Sequence, residues 1–101
     1  MRDVCNTARG EVLLAIDGRE MRLCVTLGAL AELEGAFDAG SLSELGERLA
    51  HLTANDLITV LAALVAGGGD AMSARALAAA RIDPKAAAEA IAQAFSAAFD
   101  G

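Results

Sequence analysis

The sequence predicts an α+β fold, mostly α, in which an N-terminal β-hairpin is followed by four to five short helices. Two observations predict it. Apolar residues alternate on both sides of an Asp-Gly pair early in the chain, and after Thr26 they recur at helical spacing between capping residues. A chain of 101 residues suits one domain and excludes multidomain enzyme folds. We expect a flexible leader over residues 1–8 and a single domain over 9–101.

The hairpin is predicted over residues 11–26. Asp17-Gly18 supplies the positive φ angles that a type I′ turn requires. A lone hairpin is marginal in water, so its apolar face must pack on helices or pair with another chain. The residues that alternate along the two strands, and are therefore expected on one face, are Val12, Leu14, Ile16, Met21, Leu23 and Val25.

Two amphipathic helices are predicted next, over 27–38 with Thr26 as N-cap and over 42–52 with a capping box that starts at Ser41. Glu34 falls within the apolar arc of the first helix. We expect it to be a solvated carboxylate at the rim of the core, the alternative being a polar contact to a partner. The apolar stripes are Leu27, Leu30, Leu33 and Phe37, then Leu42, Leu45, Leu49 and Leu52.

A central, buried helix is predicted over 54–66, because apolar residues surround most of its circumference after a second capping sequence, Thr53-Ala-Asn-Asp56. The triplet Gly67-Gly68-Gly69 is expected to end this helix. A phosphate-binding loop is not expected, since the Lys-Ser/Thr pair that such loops carry is missing.

The last third of the chain predicts a short helix over 74–80 and a final helix over 84–99, which begins at Asp83-Pro84. The apolar face of the final helix is Ile91, Ala94, Phe95, Ala98 and Phe99. We expect Ile91, Phe95 and Phe99 to supply most of its docking energy. Together with Glu34, these three are the candidate partner-binding residues.

The charge distribution argues against nucleic-acid binding. The formal net charge is −6, and residues 30–60 hold six acids against one base, Arg48. Such an acidic surface repels phosphate backbones. Only three residues are aromatic, with no Trp or Tyr, so stacking sites for bases, sugars or cofactor rings are not expected. We therefore expect no cofactor and no small-molecule substrate.

Two cysteines and one histidine leave little for metal or nucleophilic chemistry. Cys5, Cys24 and His51 cannot assemble a four-ligand zinc site, and no motif pairs a nucleophile with a base. His51 lies opposite the leucines of its helix and is expected at the surface. We expect two reduced thiols, the alternative being a Cys5–Cys24 disulfide. The sequence predicts that the protein is not an enzyme.

No membrane segment is expected. The first six residues contain no apolar core of a signal peptide, and the longest apolar run, over 57–69, is about 13 residues against the roughly 20 that a membrane helix needs. We expect a soluble, cytoplasmic protein.

Three stretches carry a family resemblance: Arg9-Gly-Glu-Val-Leu-Leu-Ala-Ile-Asp-Gly18, the run from Leu23 to Glu34, and Ser41-Leu-Ser-Glu-Leu-Gly-Glu-Arg-Leu49. In these and in Asp56-Leu-Ile-Thr-Val-Leu-Ala-Ala-Leu-Val, over about residues 9–99, the chain resembles the small tail proteins of gene transfer agents and tailed phages, the tail-tube or tail assembly chaperone family.

The resemblance implies an assembly role. Such a protein binds the long, helical, aggregation-prone tape-measure protein while tail-tube subunits polymerise around it, and the family contributes no catalytic residue. The expected partners are therefore the tape-measure protein, the tail tube protein or both, with a homo-oligomer as a further possibility. The alternatives are a structural tail-tube-associated subunit of the particle and a generic small helical interaction module. Whether the source is a gene transfer agent or a prophage is left open.

Overall fold

The computed structural model describes residues 11–100, apart from the side chain of Asp100. In this part of the chain a two-stranded antiparallel hairpin precedes five helices, which confirms the predicted α+β, mostly α class. The predicted leader, 1–8, lies outside the described residues. The elements are β1 (Val12–Ile16), β2 (Arg19–Leu23), α1 (Leu27–Ala36), α2 (Leu42–Leu49), α3 (Ala54–Gly67), α4 (Ala74–Ala79) and α5 (Pro84–Asp100).

The hairpin has the predicted turn and the predicted inward face. Asp17 and Gly18 have φ angles of 55° and 79°, and Leu14 pairs with Met21 across the two strands. Both of these side chains are buried, together with Ile16 and Leu23. Strand β2 ends at Leu23, earlier than predicted, because the N–H of Cys24 turns to the Leu64 carbonyl of α3, at 3.1 Å.

The hairpin turn is also tied to the loop before α5. The N–H of Asp17 donates to the Arg81 carbonyl at 3.0 Å, and the N–H of Arg81 donates to Asp17 Oδ1 at 2.7 Å. These two bonds join parts of the chain that are 64 residues apart. Asp17 therefore shapes the turn and fixes its position relative to α5.

Helix α3 lies at the centre of the fold, as predicted, and packs against β2, α1, α4 and α5. Its start has the full predicted capping box, in which the Thr53 hydroxyl accepts from the N–H of Asp56 and the Asp56 carboxylate accepts from the N–H of Thr53. Its buried residues are all apolar: Val60, Leu61, Ala63, Leu64 and Val65.

The glycine triplet has two roles, of which the sequence predicted one. Gly69, with φ of 101°, ends α3 in the left-handed conformation, and the N–H of Asp70 donates back to the Val65 carbonyl at 3.1 Å. A Cβ on Gly67 would overlap the Cys24 carbonyl oxygen, and one on Gly68 would overlap the Arg22 carbonyl oxygen. The absence of side chains at these two positions lets α3 approach the backbone of β2.

Two leucines predicted on apolar stripes are exposed instead: Leu27 is 83% exposed and Leu42 is 49% exposed. Each directly follows its N-cap, Thr26 or Ser41. Helical side chains point back toward the N-terminus, so a first-turn residue extends beyond the neighbouring element. The rest of each stripe is at least partly buried, and His51 lies at the surface, as predicted.

Helices α1 and α2 end before their predicted ends at 38 and 52. Asp38 has φ of 54°, so α1 ends in a left-handed residue whose successor, Ala39, donates to the Glu34 carbonyl at 2.9 Å. After α2, the chain must become extended at Thr53 to cap α3. Leu52 therefore lies between the two helices and not in α2.

The final helix docks differently from the prediction. Helix α5 packs on β1, α3 and β2, and its buried residues include Ala87, Ala90, Ile91 and Ala94. Phe95 is half-buried and Phe99 is 58% exposed. The prediction that Phe99 anchors α5 is therefore wrong, because alanines bring the helix close to the sheet and direct the end of its apolar face outward.

Cys24 is buried at the end of β2, with 2% of its surface exposed, and it is disulfide-bonded. The prediction of a reduced thiol at this position is wrong, since the pairing of cysteines depends on the tertiary path of the chain and not on their spacing. Cys5 lies outside the described residues.

Replacing Gly67 or Gly68 with alanine is expected to lower the free energy of unfolding by about 1–3 kcal/mol, because the added methyl group forces α3 away from β2. Urea denaturation measures the change. Gly35→Ala is the matched control: no atom lies within 4 Å of a Cβ there, so better helix propensity should raise stability by up to about 1 kcal/mol. Equal effects at Gly35 and Gly67 would contradict the close-approach argument.

Asp17→Ala is expected to cost about 1–2 kcal/mol, because alanine loses the acceptor for the Arg81 N–H and disfavours a positive φ. Asp17→Asn retains an oxygen acceptor and tolerates that conformation, so its cost should stay below about 0.5 kcal/mol. Urea denaturation of both variants compares them. If Asp17→Ala and Asp17→Asn lower the free energy of unfolding equally, the hydrogen bond between the turn and the loop before α5 does not contribute as proposed.

Candidate functional site: an apolar groove between α2 and α5

A surface groove of about 530 Å³ lies between α2 and α5. No lining side chain is charged. One wall is formed by Gly46 and Leu49 of α2 and by Ala50, the C-cap of that helix. Leu52 of the following loop and Leu57 of α3 extend this wall. The α5 wall is Ala88, Ile91, Ala92, Phe95 and Phe99.

The α5 wall is one face of a regular helix. Its residues lie 0, 3, 4, 7 and 11 positions after Ala88, which places them on a single stripe along the helix. Gly46, Leu49 and Ala50 repeat the same 0, 3, 4 spacing on α2. Two amphipathic faces therefore point into one shared space.

The two phenylalanines form the outer part of the α5 wall. Their rings stack with centroids 6.1 Å apart and an interplanar angle of 18°. Ile91, one turn before Phe95, is only 4% exposed, whereas Phe99 is 58% exposed. The apolar surface therefore passes from the core at Ile91 to solvent at Phe99.

Helix α2 is held against α1 by its single arginine. Arg48 Nη1 donates to the Phe37 carbonyl at 3.0 Å, and the guanidinium lies 5.0 Å from the centroid of the Phe37 ring. At the other end, the Ser41 hydroxyl caps the helix and Glu44 Oε1 accepts from the N–H of Gly40 at 2.7 Å. The capping box predicted here is therefore offset by one residue. Leu45 is the buried residue of α2.

Three of the four residues that the sequence predicted as partner-binding lie in this groove: Ile91, Phe95 and Phe99. Glu34 does not line it. Glu34 is half-buried near the end of α1, as expected for a carboxylate at the rim of the core. The sequence missed the opposite wall, because helical periodicity identifies an apolar face and does not say which other face it meets.

The described residues also form a polar hollow of about 500 Å³ beside the end of α1. It contains Asp38, Glu44, Glu47 and His51, with Arg48 engaged by the Phe37 carbonyl. In the described part of the chain no three His, Cys, Asp or Glu side chains are grouped as metal ligands would be. None of the helices over residues 11–100 is long and apolar enough to cross a membrane.

Ile91→Ala is expected to lower the free energy of unfolding by about 2–5 kcal/mol, because it leaves a cavity in the core. Phe99→Ala should cost about 1 kcal/mol, since its ring is mostly exposed and loses little beyond the stacking with Phe95. Thermal and urea denaturation separate the two. An equally large loss at Phe99 would show that its ring supports the core and is not a free surface.

One of the comparisons with known proteins identifies a family. The family described as phage tail tube protein, GTA-gp10, matches residues 9–101, which is nearly the whole chain. No curated protein and no solved structure matches the chain significantly. The resemblance found in the sequence is confirmed, and the chain belongs to the GTA-gp10 phage tail protein family.

Proposed function

We propose that this protein is a tail assembly chaperone that binds the tape-measure protein in the cytoplasm while the tail tube forms. Family membership over residues 9–101 supports a role in phage or gene-transfer-agent tails. The observation that carries the chaperone role is the open apolar groove between α2 and α5, which leaves Phe99 mostly exposed. A surface of this kind suits a protein partner.

The acidic charge supports the same role. The chain has a net charge of −6, and like charges on neighbouring complexes repel one another. A protein that covers an aggregation-prone helix with its apolar groove, and faces solvent with carboxylates, keeps that helix dispersed until the tube subunits arrive. The tail tube protein is a second partner in this proposal, and a homo-oligomer is compatible with it.

We assign the protein no enzymatic activity, cofactor or metal. His51 lies exposed beside Arg48 and Glu47, and Cys24 is buried and bonded, so neither is positioned as an activated nucleophile. The α2–α5 groove, which we propose as the binding site, has no titratable lining residue.

A second candidate function is a structural subunit associated with the tail tube. The family description, phage tail tube protein, favours it. The groove would then bind a neighbouring subunit of the particle permanently. A generic helical interaction module is a third reading, in which the groove serves a partner outside the tail.

Co-expression with the tape-measure protein of the same gene cluster is expected to raise the soluble fraction of that protein and to yield a complex that co-purifies. Co-expression with an unrelated helical protein of similar length is the control and should give neither effect. If the tape-measure protein stays insoluble and uncomplexed, the chaperone role is wrong.

Mass spectrometry of purified particles separates the two tail functions. A chaperone is expected to be absent from the particle, because it leaves when the tube encloses the tape-measure protein. A stoichiometric amount in the particle would support the structural subunit instead.

A further inference from the structure

We propose that the α2–α5 groove receives a single amphipathic helix whose apolar stripe is flanked by lysine or arginine. This rests on the proposed function only in taking the occupant to be another protein. Three features carry it: the nature of the groove walls, their length and small residues, and the sign of the surrounding charge.

The walls favour a helix over an extended strand. Apart from Leu52 in the loop after α2, the lining belongs to helices and to the C-cap of α2, and the backbone N–H and C=O groups within helices are already bonded to each other. An extended segment in this apolar space would leave its own backbone groups without partners, at a high cost in free energy. A helix enters with its backbone bonds already made.

The dimensions fit about three turns of a partner helix. From Ala88 to Phe99 the α5 wall spans 12 residues, and the 11 steps between them cover about 16 Å at 1.5 Å per step. Gly46 and Ala50 on one wall, with Ala88 and Ala92 on the other, let a third helix come close. Phe99, exposed at the end of the stripe, is suited to contact an apolar residue of the incoming helix.

The charge around the groove selects a basic partner. Glu47 precedes Ala50 by three residues and Glu89 precedes Ala92 by three, so each exposed carboxylate lies next to a lining residue on its helix surface, and Glu47 lies between the groove and the polar hollow that it also lines. Lys85 borders Ala88 in the same way, which leaves two carboxylates against one ammonium. Arg48, the only other base on the two helices, is directed to the Phe37 carbonyl.

The test uses synthetic peptides of about 18 residues, long enough for about five helical turns. One has leucines at helical spacing flanked by lysines, a second has the same leucines flanked by glutamates, and a third scrambles the first. Fluorescence anisotropy measures their binding to the full chain. We expect the lysine-flanked peptide to bind, and the other two to bind at least about tenfold more weakly.

Variants then locate the binding site. Phe99→Ser and Ala92→Gln should each weaken binding of the lysine-flanked peptide about tenfold, by removing the exposed ring or by filling the groove. Leu27→Ser and Ala76→Gln are the matched controls, because both residues are exposed and lie outside the groove lining. These controls should change the affinity less than about twofold. Circular dichroism verifies that all four variants are folded.

Charge reversal tests the basic flank. The double variant Glu47→Lys with Glu89→Lys should bind the lysine-flanked peptide more weakly, and the glutamate-flanked peptide more tightly, than the unmodified chain does. Glu20→Lys with Glu32→Lys changes the net charge equally at exposed positions outside the groove lining. If the two double variants change peptide affinity equally, the attraction comes from the net charge of the whole chain. The proposal that carboxylates beside the groove favour a basic partner is then wrong.

Three results would overturn the groove assignment. Phe99→Ser could weaken binding no more than Leu27→Ser does. Sedimentation could show a wild-type dimer that Phe99→Ser dissociates, which would make a second copy the occupant. Removal of residues 1–4, which retains Cys5, could change the NMR signals of Phe95 and Phe99, which would make this chain's own segment the occupant. Peptide binding in the groove without any tape-measure complex would reject the proposed function alone.

Discussion

The close approach of α3 to β2 is the constraint on which the rest of the structure depends. A two-stranded hairpin is marginal in water unless its apolar face is covered. Here Gly67 and Gly68 have no side chain, so the backbone around Arg22 and Cys24 can lie directly against the end of α3. The N–H of Cys24 also donates to the Leu64 carbonyl. The hairpin thereby covers the central helix and gives α5 a surface on which to pack. Because α5 is placed by the hairpin, the wall of the groove is placed by it too.

The groove exists because its two walls are attached to different parts of this core. Helix α5 packs on the sheet and on α3, whereas α2 packs on α1 and is held there by Arg48. The space between them remains lined by apolar side chains, with Phe99 facing solvent at one end. A stability requirement alone would bury that ring. Phe99 is not the most exposed large apolar residue, since Leu27 is more exposed, but it is continuous with an uncharged groove, and that continuity is the physical basis for assigning the groove to a partner.

The sequence predicted one wall of the site and not the other. Ile91, Phe95 and Phe99 follow from four-residue spacing on a single helix, which any helical wheel displays. The same spacing does not distinguish the buried Ile91 from the exposed Phe99, since depth depends on how closely the alanines of α5 approach the sheet. Leu49 and Leu57 come from other helices, so no local pattern links them to the phenylalanines. Glu34 shares the apolar arc of α1 but does not line the groove.

The sequence by itself therefore determined the local features of the fold, which are the Asp17-Gly18 turn and the caps at Thr26, Ser41 and Thr53. It also determined the α+β order of elements and the resemblance to tail proteins. These depend on neighbours within a few residues, or on a pattern carried along the whole chain. The tertiary structure alone decided the packing role of Gly67 and Gly68, the pairing state of Cys24 and the meeting of α2 with α5. Each of these is a distance between segments far apart in the chain, and such distances are set by packing and not by local conformation.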